Sequence, residues 1–431
     1  MWNRLKKLEI RTTIFLLFVL LLIGSNILLF LVISGFEWIS APHDVDRRLN
    51  GNTLICTTTF AEMLQEPKRV EEQIPVEPDN TDHKAYEVDE NGNLIWEIRG
   101  LAYPHEVEEL PNGHLLIADT GFDRLIEVNY PDTDITWSWE PSKINWTEVN
   151  PVWGSDHYYN NEIAFDWSHL NDVDFKQYET WNACLVSIRN FDLIVEINYT
   201  AESIGPSNNP ANIVWWYGEF ENRSLIYRQH NPDYLENGNI IIADSANDRI
   251  LEINKTSKQV VWSYADGLRW PRDADVLNNG NILITDSFNC RILEIEKESK
   301  ELIWSYSNDL IVPYEADLLD NGNFLISGEY AGVVYEVNRN GMVVWRYGVS
   351  YVKSVVYLNS ILLMALASSE LFFRYKKIRS NSLTQKGKFI EFTIVGILIT
   401  LIIFGITLML GYSFFITLIA QFVYANPNLM T

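Results

Sequence analysis

Asp273-Ala-Asp-Val-Leu-Asn-Asn-Gly-Asn-Ile-Leu-Ile-Thr-Asp-Ser-Phe-Asn-Cys-Arg-Ile-Leu-Glu-Ile295, continued by Leu302-Ile-Trp-Ser-Tyr306, is the stretch on which the fold turns. It holds four short apolar or alternating runs separated by turn residues, and such a unit reads as four antiparallel strands. Asn279-Gly280 is a hairpin turn, because both residue types tolerate positive φ. The unit recurs in both directions along the chain. Its turn asparagines are Asn50, Asn112, Asn237, Asn279 and Asn321, and one further inner strand, Asn171-Asp-Val-Asp174, lacks the Asn-Gly. Its fourth-strand tryptophans are Trp96, Trp137, Trp215, Trp262, Trp304 and Trp345. Both series count to six. Four-stranded repeats of about 40 to 45 residues are propeller blades, so the expected fold class is an all-β six-bladed β-propeller over 36–350. The last three turns lie 42 residues apart and the earlier ones further, which places inserted loops at 62–82, 143–165 and 199–210. The sixth blade carries its own tryptophan strand, so the ring is expected to close without a strand borrowed from the N-terminus.

The ends of the chain differ from this middle. Residues 12–35 carry no charge, and about 20 such residues cross a bilayer as a helix, whereas a cleaved signal core needs only ~7 to 15. Two more spans are expected at 353–373 and 389–411, followed by a short apolar membrane-associated segment over 412–431. Arg4, Lys6, Lys7 and Arg11 in the tail 1–11, and Arg374, Lys376, Lys377, Arg379, Lys386 and Lys388 in the loop 374–388, are the basic flanks that stay cytoplasmic. The expectation is a multi-pass cell-membrane protein with flanking α-helical transmembrane segments and its propeller on the extracytoplasmic side. Asn359, Glu370 and Glu391 are polar groups in or near the C-terminal helices that could join a membrane protein partner.

The formal net charge of -24 across 431 residues repels polyanions, so nucleic acid is excluded as a partner. Three cysteines, Cys56, Cys184 and Cys290, form no C-x-x-C pair; neither a disulfide framework nor a zinc site is indicated, and no cofactor is expected. Sequons at Asn145, Asn198, Asn222 and Asn254 agree with an extracellular glycoprotein.

The six blades can be compared with one another, and a residue that all repeat belongs first to the scaffold. The tryptophans pass that test as packing between blades. So do the acids four residues before each turn: Asp46, Glu108, Asp174, Asp233, Asp275 and Asp317. A ring of cation ligands is the sharper reading of those acids, since hard cations take carboxylates. Seven residues before the turn the blades differ: His43, His105, His230, Arg272 and Tyr314, with Asn171 in the third blade and His169 two residues ahead of it. Inner strands surround the propeller axis, so their first residues converge at one mouth of the channel. Imidazoles, a guanidinium and a phenol gathered there would supply general acid/base groups, a nucleophile and an anion clamp. A histidine metal site is a minor reading, because no H-x-H or H-E-x-x-H spacing supports it.

Four strings carry a family resemblance: Asp166-Trp-Ser-His-Leu-Asn-Asp-Val-Asp174, Leu185-Val-Ser-Ile-Arg-Asn190, Ile213-Val-Trp-Trp-Tyr-Gly218 and Gln229-His-Asn-Pro-Asp-Tyr-Leu-Glu-Asn-Gly-Asn239. In succession they resemble the arylsulfotransferases, propeller enzymes with patterns of the form D-W-x-H-x-N-x-V-D, S-S-R, W-x-x-G and Q-H-D. The resemblance implies sulfuryl transfer from an aryl sulfate to a phenolic acceptor through a transiently sulfated histidine. It implies His169, His230 and Arg249 as catalytic positions and Arg189, with Asn171, as substrate-binding ones. In the family the nucleophilic histidine lies in a blade later than the Gln-His one, and here no histidine follows His230; Arg272 and Tyr314 stand at those positions. The competing expectation is an inactive propeller ectodomain that binds an extracellular ligand or partner. A quinone-dependent dehydrogenase, usually built on eight blades, disagrees with the count of six.

Overall fold

The computed structural model describes residues 40–59, 84–153, 166–199, 212–219, 222–329 and 332–348. They form six antiparallel four-stranded sheets, each made of four strands consecutive in the chain. The innermost strands are Ser40–Arg47, Glu106–Glu109, Leu170–Gln177, His230–Tyr234, Pro271–Val276 and Ala316–Leu318. The outermost are Leu94–Arg99, Ile135–Trp139, Ile213–Gly218, Gln259–Tyr264, Leu302–Tyr306 and Val343–Gly348. The architecture is a six-bladed propeller. Among the described residues no helix is long and apolar enough to cross a membrane. The spans expected at 12–35, 353–373 and 389–411 lie outside the described residues, as do most of the three inserted loops.

Five of the six blades are organised by an Asn-Gly turn. The side-chain oxygens of Asn50, Asn237, Asn279 and Asn321 each accept the backbone N–H two residues on at 2.9 Å, a local hydrogen bond that mimics a backbone turn. The glycine between them sits at φ of +79° to +88° (Gly51, Gly238, Gly280, Gly322) with open space around it. Its conformation, not its small volume, excludes other residues there. Both asparagines of the turn then donate to the glutamate of the third strand: Asn237 and Asn239 to Glu252 at 3.0 and 2.6 Å, Asn321 and Asn323 to Glu336 at 3.0 and 2.7 Å. The repeated glutamate therefore ties the first hairpin of a blade to its third strand.

The core lies between the blades. Leu235, Ile241, Ala243, Ile250 and Tyr264 of the fourth blade form one cluster with Ala274, Ile282, Ile284 and Leu293 of the fifth. Full burial of such an aliphatic side chain contributes about 1.5–3 kcal/mol. Five of the six outer-strand tryptophans join the same interface by a bond, the indole N–H donating to a turn carbonyl of the following blade; the indole N–H of the sixth, Trp137, has no partner among the described residues. Trp96 donates to Pro131, Trp215 to Lys255, Trp262 to Lys297 and Trp304 to Arg339, all at 2.8 to 2.9 Å. Trp345 of the sixth blade donates to Glu90 of the first at 2.8 Å, and Val45, Ile55 and Tyr86 pack on Leu325 and Val334 beside it. The ring thus closes by packing and hydrogen bonds, with no strand exchanged. Cys56, Cys184 and Cys290 are free and buried.

Replacing Trp262 or Trp304 by Phe keeps an aromatic ring and removes the inter-blade hydrogen bond. Each variant is expected to lose about 1–2 kcal/mol of unfolding free energy, read as a lowered urea midpoint at unchanged slope; an unchanged midpoint would show that packing alone holds the blades in order.

Candidate functional site

The inner strands bring the six differing positions to one end of the channel. His43 and His105 stack with ring centroids 4.4 Å apart and planes 11° from parallel. His169 meets His105 edge-on at 4.7 Å. Tyr314 meets His43 at 4.9 Å, His105 at 5.7 Å and His230 at 6.0 Å, and the Arg272 guanidinium lies 4.5 Å from the Tyr314 ring centre. None of these six side chains is more than 3% exposed. Asn171, equally buried, donates to Gln229 O at 3.1 Å.

His169 arrives by a different route from the others. In the second, fourth, fifth and sixth blades the residue two before the mouth position has a left-handed backbone: Tyr103 at φ +55°, Arg228 at +48°, Trp270 at +50° and Val312 at +46°. His169 is the third-blade counterpart, at +46° and two before Asn171. Bulky and β-branched residues adopt this conformation at a cost of about 1–3 kcal/mol. Backbone N–H bonds to a side chain of the preceding blade hold it in place, Arg228 to Asp192 at 3.0 Å and Trp270 to Asp248 at 2.7 Å. In the third blade Trp167 and Ser168 donate likewise to Asp123 at 3.0 and 2.7 Å.

Each imidazole is oriented through Nδ1. His105 Nδ1 lies 2.8 Å from Tyr103 O, His43 Nδ1 3.2 Å from Pro104 O and His230 Nδ1 2.7 Å from Ser245 Oγ. His169 Nδ1 is 2.8 Å from both carboxylate oxygens of Asp166. With its Nδ1–H held by a carboxylate, the lone pair of His169 is on Nε2. Burial, and then neighbouring cations and imidazoles, hold His105, His169 and His230 well below the ordinary histidine range, so all three are neutral near pH 7. Burial likewise pushes the Tyr314 phenol up.

Two charged groups govern the electrostatics. Arg189 is fully buried, and its charge acts on His105, His169, His230 and Tyr314 together. Glu329 pairs with Arg272 and lies 3.3 Å from His43 Nε2. Burial pushes the Glu329 carboxyl up, but Arg272 and His43 outweigh it and hold the group below the usual carboxylate range.

Sequence reasoning missed Glu329, and a signal for it existed. The residue that follows the second strand is Thr120, Ser245 and Ser287 in the second, fourth and fifth blades, but Arg189 and Glu329 in the third and sixth. Charged exceptions at a hydroxyl position mark the site as the mouth residues do. Tyr103 and Trp270, which pack against His105 and His230, fall on the left-handed position and show no pattern in the sequence.

Arg249 is a correction. The resemblance placed it in the site, but it bonds Asp244 at 2.6 Å and the carbonyls of Ser224 and Leu225 at 3.0 Å; among the described residues none of its contacts is with the cluster. Arg124 on Asp119 and Arg291 on Asp286 repeat the same pairing at 2.7 and 2.6 Å. A pairing repeated in three blades is scaffold.

Residues 79–221 match the family profile described as Arylsulfotransferase (ASST). That stretch is about a third of the chain and contains His105, His169 and Arg189, while His43, His230, Arg272 and Tyr314 lie outside it. No curated protein sequence matches significantly. Similar solved structures include a protein of unknown function from Bacteroides caccae, with TM-score 0.42 and 15% identity over 62% of this chain and 89% of that one. A streptogramin B lyase scores 0.45 at 10% identity over 74% and 86%. The WD40 propeller domain of Doa1 scores 0.43 at 10% identity over 72% and 86%.

The buried Arg272–Glu329 pair supplies a direct check on these electrostatics. Arg272→Met leaves a carboxylate buried without its cation and is expected to cost about 3–5 kcal/mol of stability. Adding Glu329→Gln should recover most of that loss, measured as a double-mutant cycle in urea; equal losses from single and double variants would contradict the pairing.

Proposed function

We propose that the chain is an arylsulfotransferase-like enzyme in which His169 carries the sulfuryl group. One observation carries this reading: a neutral imidazole, held by a buried carboxylate and under the charge of a buried guanidinium, within the stretch that matches the family profile. Asp166 fixes the tautomer of His169 and stabilises the cationic ring formed when Nε2 bonds to sulfur, the role a carboxylate has beside any nucleophilic or basic imidazole. Arg189 offers its charge to the sulfonate oxygens as they gather charge in the transition state.

The steps balance. Nε2 of His169 attacks the sulfur of an aryl sulfate, the sulfur–oxygen bond to the aryl group breaks, and the phenolate leaves with the bonding pair. The acceptor phenol then attacks the sulfur as His105 takes its proton, the nitrogen–sulfur bond breaks, and His169 returns to its neutral state. That proton leaves with the released phenolate. Neutral imidazoles suit both the nucleophile and the base, and burial keeps them so. The reading extends to a propeller tethered by residues 12–35 and the C-terminal segments on the extracytoplasmic face, with no nucleic-acid partner; protease accessibility in intact cells tests that placement.

A non-catalytic binding propeller is the second reading, favoured by the near-complete burial of all six mouth residues. Incubation with a chromogenic aryl sulfate and a phenol separates the two. Turnover is expected, with His169→Asn lowering kcat by about 10³-fold or more and Asp166→Asn by at least about 10²-fold. Arg249→Met should change stability and leave kcat alone. Because the pKa of His169 lies below its ordinary ~6.5, kcat should fall only at acid pH and be flat from about pH 6.5 to 8. No turnover by the folded protein would sink the enzymatic reading.

A further inference from the structure

The imidazoles of the mouth differ in what their ring nitrogens face. His43 meets an acceptor on each side: Nδ1 is 3.2 Å from the Pro104 carbonyl oxygen and Nε2 is 3.3 Å from Glu329 Oε1, with both side chains 1% exposed. A carbonyl only accepts, so Nδ1 carries a proton. Glu329 is ionised, since Arg272 and His43 outweigh the burial that pushes its carboxyl up, and an ionised carboxylate also only accepts. A lone pair on Nε2 would lie buried against the lone pairs of Oε1, so Nε2 carries a proton as well.

The stacked neighbour agrees. His105 lies flat against His43 with centroids 4.4 Å apart, and two cations in that stack would repel. The charge belongs to His43, whose ring faces a carboxylate, whereas His105 Nδ1 faces the Tyr103 carbonyl at 2.8 Å. Burial, and then His43 itself, hold His105 well below the ordinary histidine range. The other rings against His43 are the phenols of Tyr103 at 5.4 Å and Tyr314 at 4.9 Å, while Arg272 holds the second oxygen of Glu329. Nε2 and Oε1 face each other without closing a hydrogen bond, which leaves this proton available to another acceptor.

We propose that His43, held cationic by Glu329, is the proton donor to the leaving aryl oxygen in the sulfuryl transfer described above. The inference rests on that reading of the site. As the sulfur–oxygen bond of the donor breaks, so does the Nε2–H bond of His43; the nitrogen keeps its electron pair, and the proton bonds the aryl oxygen as the phenolate forms. In the second half-reaction His105 takes a proton from the acceptor. The stacked pair thereby regains what it gave, and Glu329 settles that proton on His43. One proton thus passes from acceptor to departing phenol in each cycle. An anion released into so buried a mouth is costly, so the donor matters most when the phenol is weakly acidic.

Two arms test this on the full-length protein. In the first, isotope-labelled histidine reads the protonation of each ring by NMR at about pH 7.5, where an unperturbed imidazole is neutral. The expected result is a doubly protonated ring whose signal disappears in His43→Gln and turns singly protonated in Glu329→Gln, a variant that keeps the ring. A singly protonated His43 in the wild type overturns the proposal. In the second, kcat/KM is measured on para-nitrophenyl sulfate, whose phenol is acidic, and on para-methoxyphenyl sulfate, whose phenol is weakly so. His43→Gln is expected to lose about 10²-fold more on the methoxy donor than on the nitro donor, and Glu329→Gln to show the same selectivity. Equal losses on both donors, with wild-type turnover intact, also overturn it. No turnover of either donor by the wild type would sink the sulfuryl-transfer reading and the leaving-group role with it, whatever the charge on the ring.

Discussion

The indole N–H of an outer-strand tryptophan, donated to a turn carbonyl of the next blade, is the constraint on which this molecule rests. A blade alone has two faces to bury and no partner; the ring provides one for each. Packing of aliphatic side chains between sheets is strong but permissive in angle, whereas a bond of 2.8 to 2.9 Å from a rigid indole is directional. It recurs at five of the six inter-blade steps, from Trp96 to Trp345 and closing on Glu90, while Trp137 of the second blade is buried with no partner for its indole N–H among the described residues and holds its step by packing. Steps so nearly alike let six sheets meet without an exchanged strand.

From that repetition the site follows. Similar geometry around an axis delivers the equivalent residues of the blades to one mouth whatever their side chains are, so chemistry can vary there without disturbing the ring. The mouth residues are almost wholly buried, which keeps His105, His169 and His230 neutral and makes the Arg272–Glu329 pair an internal counterweight. The left-handed positions of Arg228 and Trp270 are held by backbone N–H bonds to Asp192 and Asp248 of the preceding blade. At three of the left-handed positions the side chain, Tyr103, His169 or Trp270, packs in the histidine cluster.

Much of the fold and part of the site were legible beforehand, for one reason: a repeat lets a single sequence be aligned to itself. Turn, glutamate and tryptophan recur, and in most blades each makes a named bond. The exceptions at the mouth, His43, His105, His230, Arg272 and Tyr314, were legible as departures from the repeat. Arg249 shows where likeness to a family misleads, since the blade comparison would have set it beside Arg124 and Arg291. Glu329 was within reach of the same comparison, one strand further on, and Tyr103 was not, because its position is defined by a backbone angle that residue type does not reveal.

The sequence by itself determined the number of blades, the strand that lies innermost and the tier at which residues differ, because local turn chemistry and hydrophobic period suffice for those. The tertiary structure alone decided which differing residues touch. That His43 stacks on His105, that His169 reaches the cluster from two residues before its blade's mouth position, and that the Arg189 charge acts on three imidazoles while the bonds of Arg249 go to Asp244, Ser224 and Leu225 depend on how blades far apart in the chain meet around an axis. Contacts across the axis have no period along the sequence, and only the closed ring creates them.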